Sequence, residues 1–199
     1  MVLSPRRAQN QLSLMKINIV GITASGKSTF GRKLAEAIDA PFIEMDSIFW
    51  GPNWTEPSDD VFFKKLEEAL SGDSWVLDGN YNRTVPIKWR AIDTVIWLDY
   101  SFPRTITQSV FRAVNRSYHK TELWPNTGNY ETFGKMFSKD SIVWWCVKSY
   151  SKIRKRYQLV MNDPDFAHIQ FIHLTSPKEA EEYILSKKRD SKAPLKTAT

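Results

Sequence analysis

Eight residues near the start of the chain, Gly21-Ile22-Thr23-Ala24-Ser25-Gly26-Lys27-Ser28, fit the pattern G-x-x-x-x-G-K-[ST], and Thr29 follows. Their setting constrains the fold most. Ile17, Ile19 and Val20 run directly into the first glycine, which reads as a buried strand entering a turn. From Lys27 to Ile38 the apolar positions Phe30, Leu34, Ala35, Ala37 and Ile38 recur at helical spacing and stop before Pro41. Glycines between a strand and a helix let the backbone curl so that its N–H groups face phosphate oxygens, while the helix N-terminus adds positive potential. Gly21, Thr23, Ala24, Ser25, Gly26, Lys27, Ser28 and Thr29 are therefore the candidate phosphate-binding residues. Lys27 has the reach for the β and γ phosphates, and the Ser28 hydroxyl suits Mg²⁺. The competing reading is a plain strand-turn-helix with a surface lysine.

The rest of the chain repeats the alternation. Phe42 to Met45, Trp75 to Leu77, Thr94 to Leu98 and Ile169 to Leu174 are short apolar runs predicted as strands two to five. Ser58, followed by Asp59 and Asp60, caps an amphipathic helix through Leu70, and Ser176-Pro177 opens a closing helix. Near-continuous apolar strands separated by helices imply a parallel sheet covered on both faces. About 70 residues separate the fourth and fifth strands, more than one crossover helix requires, so an insertion is expected there. An acidic partner for the metal is expected at a strand end: Asp78 is the first candidate, Asp99 the rival, and Asp46 ends strand two in the same way. At the carboxyl edge of an open parallel sheet all three meet the ligand.

Charge is unevenly placed. The net +6 is the sum of a basic leader, a neutral stretch from 16 to 186 and a basic end from 187 to 199. Residues 1–15 read as a flexible leader, with Met15 an alternative start, and residues 187–199 as a disordered basic tail. Within the neutral stretch, residues 104–157 carry 11 basic residues against Glu122, Glu131 and Asp140. Arg112 and Arg116, four apart on a predicted helix, share a face. The aromatic residues of the same segment, among them Trp124, Trp144, Trp145, Tyr150 and Tyr157, either stack on bases or pack the segment against the domain. One cysteine, Cys146, forms no internal disulfide and fits a reducing, cytoplasmic compartment. No run of about 18 uncharged apolar residues predicts a membrane span.

With these residues in view, the chain resembles the nucleoside-monophosphate kinase group of phosphate-loop proteins, and within it the adenylate-kinase-like set known as DNA topology modulation proteins. The resemblance rests on the glycine loop, on Met45-Asp46-Ser47-Ile48-Phe49-Trp50 with Trp54, on Trp75-Val76-Leu77-Asp78-Gly79-Asn80-Tyr81 with Arg83-Thr84, and on Ile172-His173-Leu174-Thr175-Ser176-Pro177-Lys178. Asp78 to Thr84 is similar to the L-D-G-F-P-R-T run of adenylate kinases, with Asn80-Tyr81 in place of Phe-Pro and one extra residue before Arg83. The resemblance implies a three-layer α/β phosphate-loop fold with a five-stranded parallel sheet and a helical lid between strands four and five, at about 104–157. It also implies ATP as substrate and Mg²⁺ as cofactor, lid arginines over the transferring phosphoryl group, Arg112 and Arg116 first and Arg154 next, and Arg83 as a phosphate contact.

The reading expected from these residues is an ATP-dependent phosphotransferase acting on a small acceptor. Lys27, Asp46, Arg83, Arg112 and Arg116 would carry the transfer, with Ser28 and Asp78 at the metal. Asp46 would meet the acceptor hydroxyl, and Asn80, Tyr81, Trp50 and Trp54 would shape the acceptor pocket. The alternative is a nucleotide-dependent regulator that binds nucleic acid through its lid and basic tail.

Overall fold

The strands β1 (Lys16–Gly21), β2 (Phe42–Glu44), β3 (Trp75–Asp78), β4 (Thr94–Leu98) and β5 (Gln170–Leu174) lie parallel in the order β2-β3-β1-β4-β5. The computed structural model describes residues 15–119, 122–125, 127–130 and 142–192. The register brings Ile19 beside Asp78 and Gly21 beside Leu98, so the ends of β1, β3 and β4 share one edge. Helices α1 (Lys27–Ile38), α2 (Met45–Phe49), α3 (Asp59–Ala69), α4 (Val85–Lys88), α5 (Phe102–His119), α6 (Ile142–Val160) and α7 (Pro177–Lys192) connect and cover the strands.

The two-residue period of the strands divides the core into two layers. Val20, Val95 and Trp97 pack with Met45, Phe49, Phe62, Leu66 and Tyr157 on one face. Ile17, Ile19, Ile96 and Leu98 pack with Phe30, Leu34, Ile38 and Leu174 on the other. Both faces are covered, which explains why the strands read as apolar runs and not as an alternation. Ser58 and Ser176 cap α3 and α7 as the sequence predicts, accepting from the Val61 and Glu179 N–H groups.

Three expectations change. Met45 opens α2 instead of ending β2: buried beneath Gly79, it turns the chain into a short helix that carries Asp46. The tail expected from 187 is corrected, because α7 continues to Lys192. The leader also yields at its end. Met15 accepts a hydrogen bond from the Trp75 N–H at 3.0 Å and packs on the core, while residues 1–14 and 193–199 lie outside the described residues. Between β4 and β5 the insertion contains α5 and α6, packed on each other. No helix among the described residues is long and apolar enough to cross a membrane.

Candidate active site

The glycine loop leaves β1 through Gly21, whose φ of 147° and proximity to β4 exclude a side chain: a Cβ would stand 2.5 Å from the Leu98 carbonyl oxygen. Asn80 holds this residue from the neighbouring strand end. Its Oδ1 accepts from the Gly21 N–H at 3.0 Å, and its Nδ2 donates to the Gly21 carbonyl at 2.7 Å. The side chain expected in the acceptor pocket thus serves the phosphate loop. Ala24 and Gly26 take left-handed backbone at φ 62° and 87°, and α1 begins as the Phe30 N–H bonds to Gly26 O. Lys27 folds back over the loop and donates from Nζ to Ile22 O at 3.0 Å.

Ser28 and Asp78 meet as expected. The Ser28 hydroxyl donates to Asp78 Oδ2 at 2.5 Å, while Asp78 Oδ1 is buried with no hydrogen-bond partner among the described residues. Burial raises the Asp78 carboxyl above its ordinary value, against the opposing pull of Lys27 and the Ser28 hydroxyl. Burial also lowers the Lys27 ammonium, although Asp78 and Asp46 hold its charge. A buried carboxylate oxygen without a donor, beside a hydroxyl, fits a hard cation whose remaining ligands are phosphate oxygens and water. Among the described residues no group of three His, Cys, Asp or Glu offers an all-protein metal cage.

Asp99, the rival for the metal, is otherwise engaged. It accepts from Arg154 Nε at 2.9–3.0 Å and lies 3.0 Å from His173 Nε2, with its side chain 2% exposed. His173 stacks on Trp97 with ring centroids 4.2 Å apart. Arg154 thereby anchors α6 on the end of β4.

Arg112 does reach it, donating from Nη2 to Thr23 Oγ1 at 3.0 Å. Arg116, one turn further along α5, is close enough for its charge to act on Glu44 at the end of β2. Cys146 of α6 lies buried under the loop, 3.8 Å from Thr23 O, and packs with Ile22 and Tyr150. Lys120, Lys135 and Lys139 lie outside the described residues. The insertion's aromatic residues divide: Trp124, Tyr150 and Tyr157 pack inward against Trp54, Phe102 and Trp97, while Trp144 and Trp145 are exposed.

Across the edge from Lys27, Asp46 sits in the first turn of α2 and accepts from the Tyr81 hydroxyl at Oδ1, 2.7 Å away. Burial and the Asp46 charge raise the Tyr81 hydroxyl, which stays protonated as donor. Arg83 pairs with Asp59 at 3.1 Å and lies over the Phe49 and Phe62 rings at 5.1 and 5.6 Å. From Tyr81 a ladder of ring contacts runs through Phe49, Trp50 and Trp54 to Trp124, at 4.9–5.8 Å between centroids.

Sequence reasoning passes over three residues. Lys88 is buried and donates to Gly79 O at 3.1 Å and Asn80 O at 3.0 Å, bracing the turn that carries Asp78 and Asn80. Burial lowers its ammonium to about 7. Asn18, buried within β1, donates to Leu77 O and Gly79 O and accepts from Trp89 Nε1. Asn129, also fully buried, bonds to Gly51 and Trp54. A polar residue inside an apolar run, as in Val85-Pro86-Ile87-Lys88-Trp89, is the only available sign for the first two.

No protein-family model and no curated protein matches the chain. Among solved structures, the shikimate kinase from Acinetobacter baumannii in complex with shikimate is 19% identical, with a TM-score of 0.53 over 91% of this chain and 95% of that one. A gluconokinase from Sinorhizobium meliloti 1021 is 16% identical over 89% of this chain and 91% of that one, with a TM-score of 0.47. The first likeness, over nearly both full lengths, shows the fold: an α/β domain with a five-stranded parallel sheet in the order β2-β3-β1-β4-β5 and helices between β4 and β5, like that of the shikimate kinase.

Proposed function

We propose that this chain transfers the γ-phosphoryl group of ATP to a hydroxyl of a small acceptor molecule. One observation carries the reading: Asp46 stands across the sheet edge from the phosphate loop, near enough for its charge to act on both Lys27 and Asp78. A carboxylate so placed faces the phosphoryl group held by Lys27, and the acceptor hydroxyl fits between them.

Each side chain has a physical task. The loop N–H groups and Lys27 hold the β and γ phosphates, and Lys27 exchanges its bond to Ile22 O for a charged phosphate oxygen. Arg112 makes the same exchange from Thr23 and with Arg116 stabilises charge on the transferring group. Ser28 and Asp78 would hold Mg²⁺, which when bound neutralises phosphate charge. Asp46, oriented by Tyr81, accepts the acceptor's proton as the new O–P bond forms and the bond to ADP breaks. Trp50 follows Asp46 by one helical turn, its N–H bonded to Asp46 O, so it lies on the same side of α2 and walls the acceptor together with Trp54 and Tyr81. Arg83, held by Asp59, closes that wall.

The test is incubation with labelled ATP and Mg²⁺ against nucleoside monophosphates, nucleosides and small hydroxylated metabolites. Label moves to one acceptor class in the native chain and not in Lys27→Ala. Release to water alone, or equal transfer by Lys27→Ala, overturns the proposal.

A further inference from the structure

The loop 51–55 carries two consecutive residues with left-handed backbone, Asn53 at φ 54° and Trp54 at φ 62°. Asparagine tolerates that region, whereas a bulky tryptophan rarely adopts it. Both N–H groups are held by one distant segment. The Asn53 N–H donates to Thr127 O at 2.9 Å, and the Trp54 N–H donates to Asn129 Oδ1 at 2.7 Å. Asn129 Nδ2 returns a bond to Gly51 O at 3.0 Å, so one fully buried amide grips the loop at two points. The Trp54 and Trp124 rings meet edge to face at 5.8 Å above these bonds.

The gripping segment is itself braced. Glu122 and Tyr130 pair across an antiparallel bridge, and the Leu123 N–H donates to Asn129 O at 3.0 Å. The Glu122 carboxylate accepts from the Thr127 and Gly128 N–H groups at 2.9 and 2.8 Å. A local hairpin closed by its own acidic residue presents the Asn129 amide in one orientation. The grip offsets the backbone strain at Trp54, and the bonds within the loop, Gly51 N–H to Thr55 O and the Thr55 N–H and Oγ1 to Pro52 O, do not involve the Trp54 N–H.

We infer that Asn129 is a positioning residue for the acceptor wall: it belongs to the insertion between β4 and β5 yet sets the backbone that aims Trp54. The inference rests on the phosphotransfer reading of Asp46 and its aromatic surroundings. It assigns to the insertion a part in acceptor recognition, beside the phosphate contact that Arg112 supplies from α5.

Hydrogen exchange on the full chain tests it, with native protein, Asn129→Ala and Asn129→Asp compared with and without Mg²⁺ and a non-hydrolysable ATP analogue. In Asn129→Ala the Trp54 amide exchanges about tenfold faster while phosphate-loop amides keep their nucleotide-induced protection. Asn129→Asp, which keeps an acceptor for Trp54 and loses the donor to Gly51, falls between. Trp54 exchange within about twofold of native in both variants overturns the inference. If Asn129→Ala loosens the whole sheet, Asn129→Asp decides: faster exchange at Trp54 with the strands unchanged supports the role, and equal loosening of both overturns it. With the acceptor identified by the labelled-ATP panel, Asn129→Ala raises its KM about tenfold and leaves the KM for ATP alone, whereas equal changes in the two refute positioning. Absence of nucleotide-induced protection in the native chain counts against the phosphotransfer reading itself, whatever happens at Trp54.

Discussion

Asn80 and Gly21 exchange two hydrogen bonds, the side-chain amide of one residue pairing with the backbone N–H and carbonyl of the other. This pairing ties the first glycine of the phosphate loop to the turn behind Asp78, and the Tyr157 hydroxyl adds a contact to the same Asn80 oxygen at 3.3 Å. The loop, the turn after Asp78 and the insertion helix α6 therefore meet at one amide. Lys88 supports it from below through Asn80 O.

Asn80→Ala leaves the Gly21 N–H and carbonyl without their partner. Unsatisfied backbone groups in this part-buried setting cost about 1–3 kcal/mol, and a loop held less firmly binds nucleotide about tenfold or more weakly. Calorimetric titration with a non-hydrolysable ATP analogue measures the loss. Native affinity in the variant would mean that the loop keeps its shape unaided.

Asp46→Asn retains an acceptor for Tyr81 and removes the proton acceptor. Turnover with the acceptor falls by about 10²–10⁴-fold while the KM for ATP changes little. Tyr81→Phe, which only frees the carboxylate to rotate, gives a smaller loss of about tenfold. Steady-state kinetics on the acceptor found with labelled ATP separates the two, and a Tyr81→Phe defect as deep as that of Asp46→Asn would contradict these roles.

The two strand-end aspartates give opposite phenotypes. Asp78→Asn raises the Mg²⁺ concentration for half-maximal activity about tenfold or more, because one of the two proposed protein ligands is weakened. Asp99→Asn leaves that requirement unchanged and loosens the hold on α6, lowering stability by about 2 kcal/mol, a reduced figure because Arg154 is 44% exposed. Mg²⁺ titrations and urea unfolding of both variants distinguish metal ligand from structural anchor.

Lys88 makes stability depend on pH. Its ammonium is lowered from the ordinary 10.5 to about 7, so between those values the unfolded chain binds the extra proton. Stability then rises with pH across that window. Lys88→Met removes this slope and takes the Lys88 donor from Asn80 O and Gly79 O, the latter keeping its bond from Asn18, lowering stability at pH 9 by about 1–3 kcal/mol. Urea unfolding at pH 7 and pH 9 checks both effects; an unaltered slope in Lys88→Met would place the titrating group elsewhere.

Legibility in the sequence follows the range of the forces involved. The glycine loop, the five strands and the placing of Asp78 and Asp99 at the carboxyl edge of the sheet are readable because each depends on local periodicity, turn chemistry or a strand end whose direction the parallel topology dictates. Asp78 and Asp99 were not separable by that logic, since both end buried strands. Arg154 and His173 separate them, and they come from positions 55 and 74 residues away from Asp99. Asn80, expected in the acceptor pocket, instead turns its amide to Gly21, a contact 59 residues away in sequence.

From its order of residues alone, this chain is committed to a phosphate loop on a parallel α/β sheet with an insertion before the last strand, because glycine placement and apolar spacing act over a few residues. Which aspartate meets Ser28, which arginine reaches Thr23 and how Trp54 is aimed depend on contacts between segments tens of residues apart. Such contacts carry no local signature. They arise when burial denies water to a polar group and leaves a distant side chain as its available partner.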